Sequence, residues 1–259
     1  KVEDEETTSL LGHFRGGTRY LYPEPNGKPI VVGSEYKNKV YYIKAKVEIG
    51  KDTFYKLSTK PSATDGVIGW AKPEDLSTHD HVGVDKDPKT FYIKGNGKAT
   101  LHAWGGSQDT VHADLSPFKN SVFKVNLTER VGNNIWYRGK IQGEGPNVWL
   151  HESYVHLPKE SKTSKLGHIR SGKRVIYPEL GGKPVDAESY KNAVYYIKRQ
   201  AVFGSGKDEE TYYLLSTQPS DTKGIIGWAK STDLSTHEHK GVDKDPKTFY
   251  IKGNGKATL

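Results

Sequence analysis

The chain carries a near-copy of part of itself, and this constrains its fold more than any other feature. Ser77–Leu101 reads STHDHVGVDKDPKTFYIKGNGKATL and Ser235–Leu259 reads STHEHKGVDKDPKTFYIKGNGKATL, differing only at 80/238 and 82/240. Upstream the match continues with less identity. Leu11-Gly12-His13 corresponds to Leu166-Gly167-His168, Tyr36-Lys37-Asn38 to Tyr190-Lys191-Asn192, and Gly66–Lys72 to Gly224–Lys230, with short loop insertions between the copies. A weaker half-period of about 75 residues lies inside the long one. Tyr36–Val40 is echoed by Phe118–Val122, Phe54-Tyr55-Lys56 by Trp136-Tyr137-Arg138, and Gly69-Trp70 by Val148-Trp149. The order is therefore a-b-a plus a partial b: module a over 10–83, module b over 84–157, a second module a over 166–241, and the opening of a second b over 242–259. Residues 1–9, with four acids and one Lys, read as an acidic linker, and 158–165 as a charged, flexible one.

Composition agrees with several small cores. Only 34% of the residues are hydrophobic and mean hydropathy is −0.74, too little to fill one large core, whereas 16 Tyr, 7 Phe and 5 Trp suit small aromatic-centred β modules. No stretch approaches the roughly 20 apolar residues that cross a bilayer, and no insertion into a membrane is expected. The N-terminus lacks the basic-then-apolar order of a signal peptide. With no Met, the chain reads as a piece of a longer polypeptide. The absence of Cys excludes disulfides, thiol nucleophiles and Cys-ligated zinc, and leaves the compartment open.

The runs Val40–Val47, Ser121–Leu127 and Ala193–Val202 are β-branched or aromatic and nearly alternating, which predicts strands. Asn96-Gly97 and its twin Asn254-Gly255 predict tight hairpins, the second borrowing support from module a or another molecule. No helical periodicity of useful length is present. The expected module is a small, strongly bent antiparallel barrel.

The Gly-Trp pair closing such a module, after a Tyr-Lys-Asn-x-Val-Tyr-Tyr strand and a Leu-Ser-Thr segment, resembles the GW modules of Gram-positive surface proteins. The paired a/b order and the basic charge are most similar to the central repeats of bifunctional staphylococcal autolysins. Over about 10–259 the resemblance implies an all-β fold of tandem SH3-like barrels. It implies a secreted location, non-covalent association with the Gram-positive cell wall, and a parent that joins an amidase to a glucosaminidase. The fragment itself would be non-catalytic and need no cofactor. The motif falls on Gly69-Trp70 and Gly227-Trp228, while the middle module departs from it with Val148-Trp149. Gly at this place permits close backbone approach and Trp covers a barrel end, with Trp70, Trp149 and Trp228 as candidate groove walls.

The net charge of +8 favours anionic partners. It is spread thinly: 11 basic against 8 acidic side chains over 12–83, 9 against 7 over 84–157, and 14 against 10 over 158–241. One module should hold a polyanion weakly, and linked modules gain avidity of roughly 10²–10⁴. The envelope polymer with a phosphate in every repeat is teichoic or lipoteichoic acid, and the candidate contacts are Arg15, Lys37, Lys39, Lys44, Arg170, Lys191, Lys198 and Arg199. Peptidoglycan is a further partner, and an adhesin binding host fibronectin or heparin-like glycosaminoglycans is the alternative. Nucleic acid is not expected, since the stacking-aromatic motif of an RNA module is missing.

Other constellations weigh less. His79-Asp80-His81 and His237-Glu238-His239, near Asp85 and Asp243, have an i, i+2 spacing that a metal could use, yet they stand at a module junction and read as packing or solvated residues. His151–His156 is one residue too long for a zinc-protease helix. Gly253–Ala257 lacks the length and hydroxyl of a phosphate-binding loop, and no carboxylate spacing singles out an acid–base pair.

Overall fold

A computed structural model describes residues 4–259. All regular structure in them is antiparallel strand and single 3₁₀ turns. In the first unit the sheet order is Val67–Ala71, Asp52–Ser58, Tyr41–Ile49, Glu6–Phe14, Leu76–Asp85. The later copy repeats it with Ile225–Lys230, Glu210–Ser216, Tyr195–Phe203, Lys159–Ile169 and Leu234–Glu238. Strands foreseen at 40–47, 121–127 and 193–202 are observed as Tyr41–Ile49, Val122–Val131 and Tyr195–Phe203.

Each long strand slips register against the strand that follows it in its hairpin, between Ile43 and Ala45, Val125 and Leu127, and Ile197 and Gln200. A bulge adds twist and bends its strand, so each sheet curls around its own core. The first core gathers Phe14, Leu21, Tyr41, Ile43, Leu57 and Leu76; the second Ile93, Leu115, Phe123, Val125 and Leu150; the third Ile169, Ile176, Tyr195, Ile197 and Leu215. Burial of one such side chain stabilises by about 1.5–3 kcal/mol. Tyr41 needs a partner for its hydroxyl and donates to Tyr36 O at 2.8 Å; Tyr195 donates to Tyr190 O at 2.5 Å.

The Gly-Trp pairs tie the chain at Tyr22 and Tyr177 to the edge of each curled sheet by backbone contact. Gly69 adopts φ +144°, and a Cβ there would stand 2.8 Å from Tyr22 O; Gly227, at φ +138°, faces Tyr177 O at 2.7 Å. Tyr22 and Trp70 exchange both backbone hydrogen bonds at 2.7 Å, as do Tyr177 and Trp228. A side chain would break that bridge.

Several boundaries differ from the sequence expectation. Residues 158–165 are not a flexible linker: Lys159–Ile169 is one strand, paired with Tyr195–Phe203 from Lys159↔Val202 to Gly167↔Tyr195. Its polar side chains lie on an open sheet face, where pairing depends on backbone groups rather than apolarity. The acidic segment likewise enters the sheet. Glu6 pairs with Lys46 in register and in charge, and Glu5 reaches Lys56; residues 1–3 of that expected linker lie outside the described residues. The boundary at 83/84 falls inside Leu76–Asp85, which pairs with the first unit at 76–80 and with the second at 81–85.

Asn96-Gly97 does not close a hairpin. Lys89–Ile93 pairs with Val122–Val131 and Val155–His156, whereas Ala99–Thr100 pairs with Thr110–His112 and Val148–His151. Gly95 and Gly97, both at positive φ, carry the chain across the barrel end so that Ile93 and Ala99 enter one core. The copy at 242–259 forms no strand, and Phe249, Tyr250 and Ile251 are exposed. Its twin is held by strands at 122–131, 148–151 and 155–156, whereas no strand of the described residues pairs with 242–259.

Candidate functional site: basic turns on the first and third units

Following the first long strand of each a-type unit, the chain makes a short turn with arginine at both ends: Arg15-Gly16-Gly17-Thr18-Arg19 and Arg170-Ser171-Gly172-Lys173-Arg174. Gly17 at φ +80° and Gly172 at φ +84° supply the left-handed residue that such a reversal requires. The turn is stapled by the cations around it. In the first unit Arg15 Nε donates to Leu76 O at 2.7 Å, Arg19 Nε to Gly16 O at 2.8 Å, and Lys37 Nζ to Gly17 O at 2.9 Å. The third unit repeats the pattern: Arg170 Nε to Leu234 O at 2.8 Å, Arg174 Nε to Ser171 O at 3.0 Å, and Lys191 Nζ to Gly172 O at 2.6 Å.

These bonds orient the side chains without neutralising them, because every acceptor is a carbonyl. Among the described residues Arg15 and Arg170 spend only Nε on the protein, which leaves two terminal nitrogens of each guanidinium for a ligand. One carboxylate lies beneath each turn, Asp75 at 3.9 Å from Arg19 and Asp233 at 3.0 Å from Arg174, and in the third unit Glu188 also pairs with Lys191 at 2.7 Å. Burial, reinforced by Glu74, holds the Asp75 carboxyl above the usual carboxylate range, against the pull of Arg19 and Lys72. Three cations stand over one carboxylate in the first unit and over two in the third, which leaves each site net positive, and a planar guanidinium can take a phosphate by two parallel hydrogen bonds.

Of the candidate contacts, the structure therefore brings together Arg15 with Lys37 and Arg170 with Lys191. It disperses the rest. Lys39 lies at the contact with the second unit, where Gln108 N donates to Asn38 O and Val40 N to Asp109 Oδ2. Lys44 is turned onto Ser9 and His81, and burial lowers its ammonium from the usual lysine value; Lys198 is turned onto Ser164. Arg199 is paired with Glu160 at 3.3 Å and Asp221 at 3.1 Å. Trp70 and Trp149 are each 5% exposed and so are not groove walls: Trp70 packs with Val47 and Phe54, and Trp149 lies between the first and second units. Trp228 is half-buried in the cluster of Phe203, Tyr212 and Tyr92 between the second and third units.

Arg19, Arg174 and Lys173 were not among the candidates. Their signal is present in the repeat, since Arg-x-Gly-x-Arg stands at the same place in both copies. The second unit has Gly95-Asn96-Gly97-Lys98 at its turn and lacks the paired arginines.

His81 of the candidate metal pair is engaged by Lys44 and Glu129. Among the described residues no group of three His, Asp or Glu side chains is placed to hold a metal ion.

No protein-family model and no curated protein matches this chain. Among solved structures, it is similar to a protein of Listeria monocytogenes provisionally named an autolysin, at 15% identity and a TM-score of 0.36 over 90% of this chain and 98% of the other.

Proposed function

We propose that this chain is a non-catalytic wall-binding segment that grips a phosphate-bearing envelope polymer, teichoic or lipoteichoic acid, and so localises a linked peptidoglycan hydrolase. The observation that carries the reading is the duplicated arginine turn, built with the same three carbonyl-directed cations in the first and third units. Each turn offers a phosphate two guanidiniums, and the first adds the Lys37 ammonium, whereas Lys191 is paired with Glu188. Contacts of this kind contribute on the order of 1 kcal/mol per cation near a dense anionic surface and weaken with salt. Two turns on one chain engage neighbouring phosphates of one polymer, and the second contact benefits from effective concentration.

Calorimetric titration with purified lipoteichoic acid, at two salt concentrations, tests the reading on the whole chain. The R15Q/R19Q and R170Q/R174Q pairs should each weaken binding and flatten its salt dependence, and the quadruple variant should lose most of it. Unchanged affinity in the quadruple variant would overturn the assignment. Binding of fibronectin or heparin that survives an excess of the polymer would place host recognition on another surface.

A further inference from the structure

Four of the ten histidines stand at one joint. The first and second units share the strand Leu76–Asp85, and their facing surfaces bury Leu11, Val40 and Tyr42 against Val131, Trp136 and Trp149. Trp104, from the second unit, is wedged between two imidazoles of the first: its ring lies 4.4 Å from His13 and 4.6 Å from His79, both edge-on. His13 Nε2 also donates to Trp104 O at 2.7 Å. The reverse insertion places His102 of the second unit edge-on to Tyr42, with the Tyr42 hydroxyl 3.1 Å from His102 Nδ1. His81, 6% exposed, lies where the shared strand passes from one sheet to the other. Its Nδ1 faces Lys44 Nζ at 3.2 Å and its Nε2 faces Glu129 Oε2 at 2.5 Å.

Protonation of a ring at this joint changes the hydrogen bonds that cross it. In the tautomer whose Nδ1 accepts from the Tyr42 hydroxyl, a proton on that nitrogen of His102 would remove the hydroxyl's acceptor inside a closed interface. The charged groups around these rings are few. Lys98 and His79 face His13 with repulsion and Asp109 with attraction; His102 faces Asp109 and Glu129; Arg138 reaches Tyr42. Asp109 is already committed to the backbone amides of Val40 and Gly106.

We propose that this joint is a proton-operated hinge: neutral His13 and His102 lock the first unit onto the second, and their protonation loosens it. The sign follows from burial. Desolvation is the largest influence on both rings and lowers both from the ordinary imidazole value of 6.5, while the Trp104 carbonyl and Asp109 at His13, and Asp109 and Glu129 at His102, oppose it only in part. The open joint therefore binds protons more readily than the closed one. Closure is at full strength above the ordinary value, weakens as pH falls from there to the lowered values, and changes no further below them. Opening redirects the first unit's arginine turn relative to the third unit's, so proton concentration sets whether the two turns address one polymer strand together.

Amide hydrogen exchange on the whole chain, corrected for intrinsic rates, tests this between about pH 8 and about pH 5. Protection at residues 81–85 and 128–131 should fall several-fold in acid, while that of the core strands at 54–57 and 136–140 is retained. The H13Q/H102Q variant keeps a donor for Trp104 O and an acceptor for Tyr42 without a titratable ring, and should abolish the fall. Equal protection at both pH values, or the same fall in the variant, overturns the proposal. Should the variant not fold, NMR titration of the wild-type imidazoles decides: His13 and His102 must titrate below exposed His237, and titration at or above it overturns the hinge.

Discussion

The amide of Val122 donates to the carbonyl of Gly181 at 2.8 Å, a backbone contact between the second unit and the third. Gly181 sits at φ +72°, and a Cβ there would lie 2.7 Å from both Asn120 O and Val122 N. The matching residue of the first unit, Asn26, has a similar φ of 60° but no unit packed on it. Gly181 is thus required by approach distance as well as by conformation. G181N keeps a residue that tolerates this φ and adds the obstructing side chain. It should cost the joint about 1–3 kcal/mol, seen as faster exchange of the Val122 amide with the third unit's core still folded.

Arg199 and Arg15 have similar sequence credentials and different surroundings. Arg199 is held by Glu160 and Asp221, whereas Arg15 is held by a carbonyl. R199A should change affinity for a phosphate polymer by less than about twofold, while R15A should lower it roughly fivefold, as expected for one lost cation of about 1 kcal/mol. Titration of both variants at one low salt concentration separates them.

At the barrel ends, G69A and G227A force a Cβ into a left-handed backbone that already touches Tyr22 O or Tyr177 O. Each should destabilise its own unit by about 1–3 kcal/mol. Denaturant unfolding followed by tryptophan fluorescence, with Trp70 and Trp228 as local reporters, should show the loss confined to the mutated unit.

Removal of a buried hydroxyl should be milder. Y41F and Y195F leave the carbonyls of Tyr36 and Tyr190 without their donor. Each should cost about 0.5–1.5 kcal/mol, measurable as a lower denaturation midpoint at unchanged slope.

His156 donates to Asn120 Oδ1 at 3.0 Å, and Asn120 in turn donates to Glu210 of the third unit at 2.7 Å. Burial, with Lys94 and Lys119 adding to it, lowers this imidazole from the ordinary value. The packed form therefore resists protonation, so its contribution is full above about pH 6.5 and declines as pH falls from there towards the lowered value. H156Q retains the donor and should leave exchange at Val122 less sensitive to acid than in the wild type.

The repeat and the alternation of aromatic and polar residues were enough to read an all-β chain, and the long strands stand where Tyr41–Ile49 and Tyr195–Phe203 show them. Those features are local, and a two-residue period survives any packing partner. Lys159–Ser164 was unreadable for the complementary reason: its side chains are polar on both faces, and only pairing with Tyr195–Phe203 makes it strand. The Asn-Gly turn misled because its flanking strands find better partners elsewhere in the barrel.

The sequence by itself determined which residue types recur and how far apart, hence the β class, the repeated unit and the excess of cations. Tertiary structure alone decided which cations converge. Arg15, Arg19 and Lys37 meet because backbone carbonyls of Leu76, Gly16 and Gly17 accept from them, Lys37 reaching in from a second turn 20 residues away, while Lys44 and Arg199, equally basic, are turned onto protein partners. A charge is written in the chain, but whether it faces solvent or a carboxylate depends on contacts between segments far apart in it.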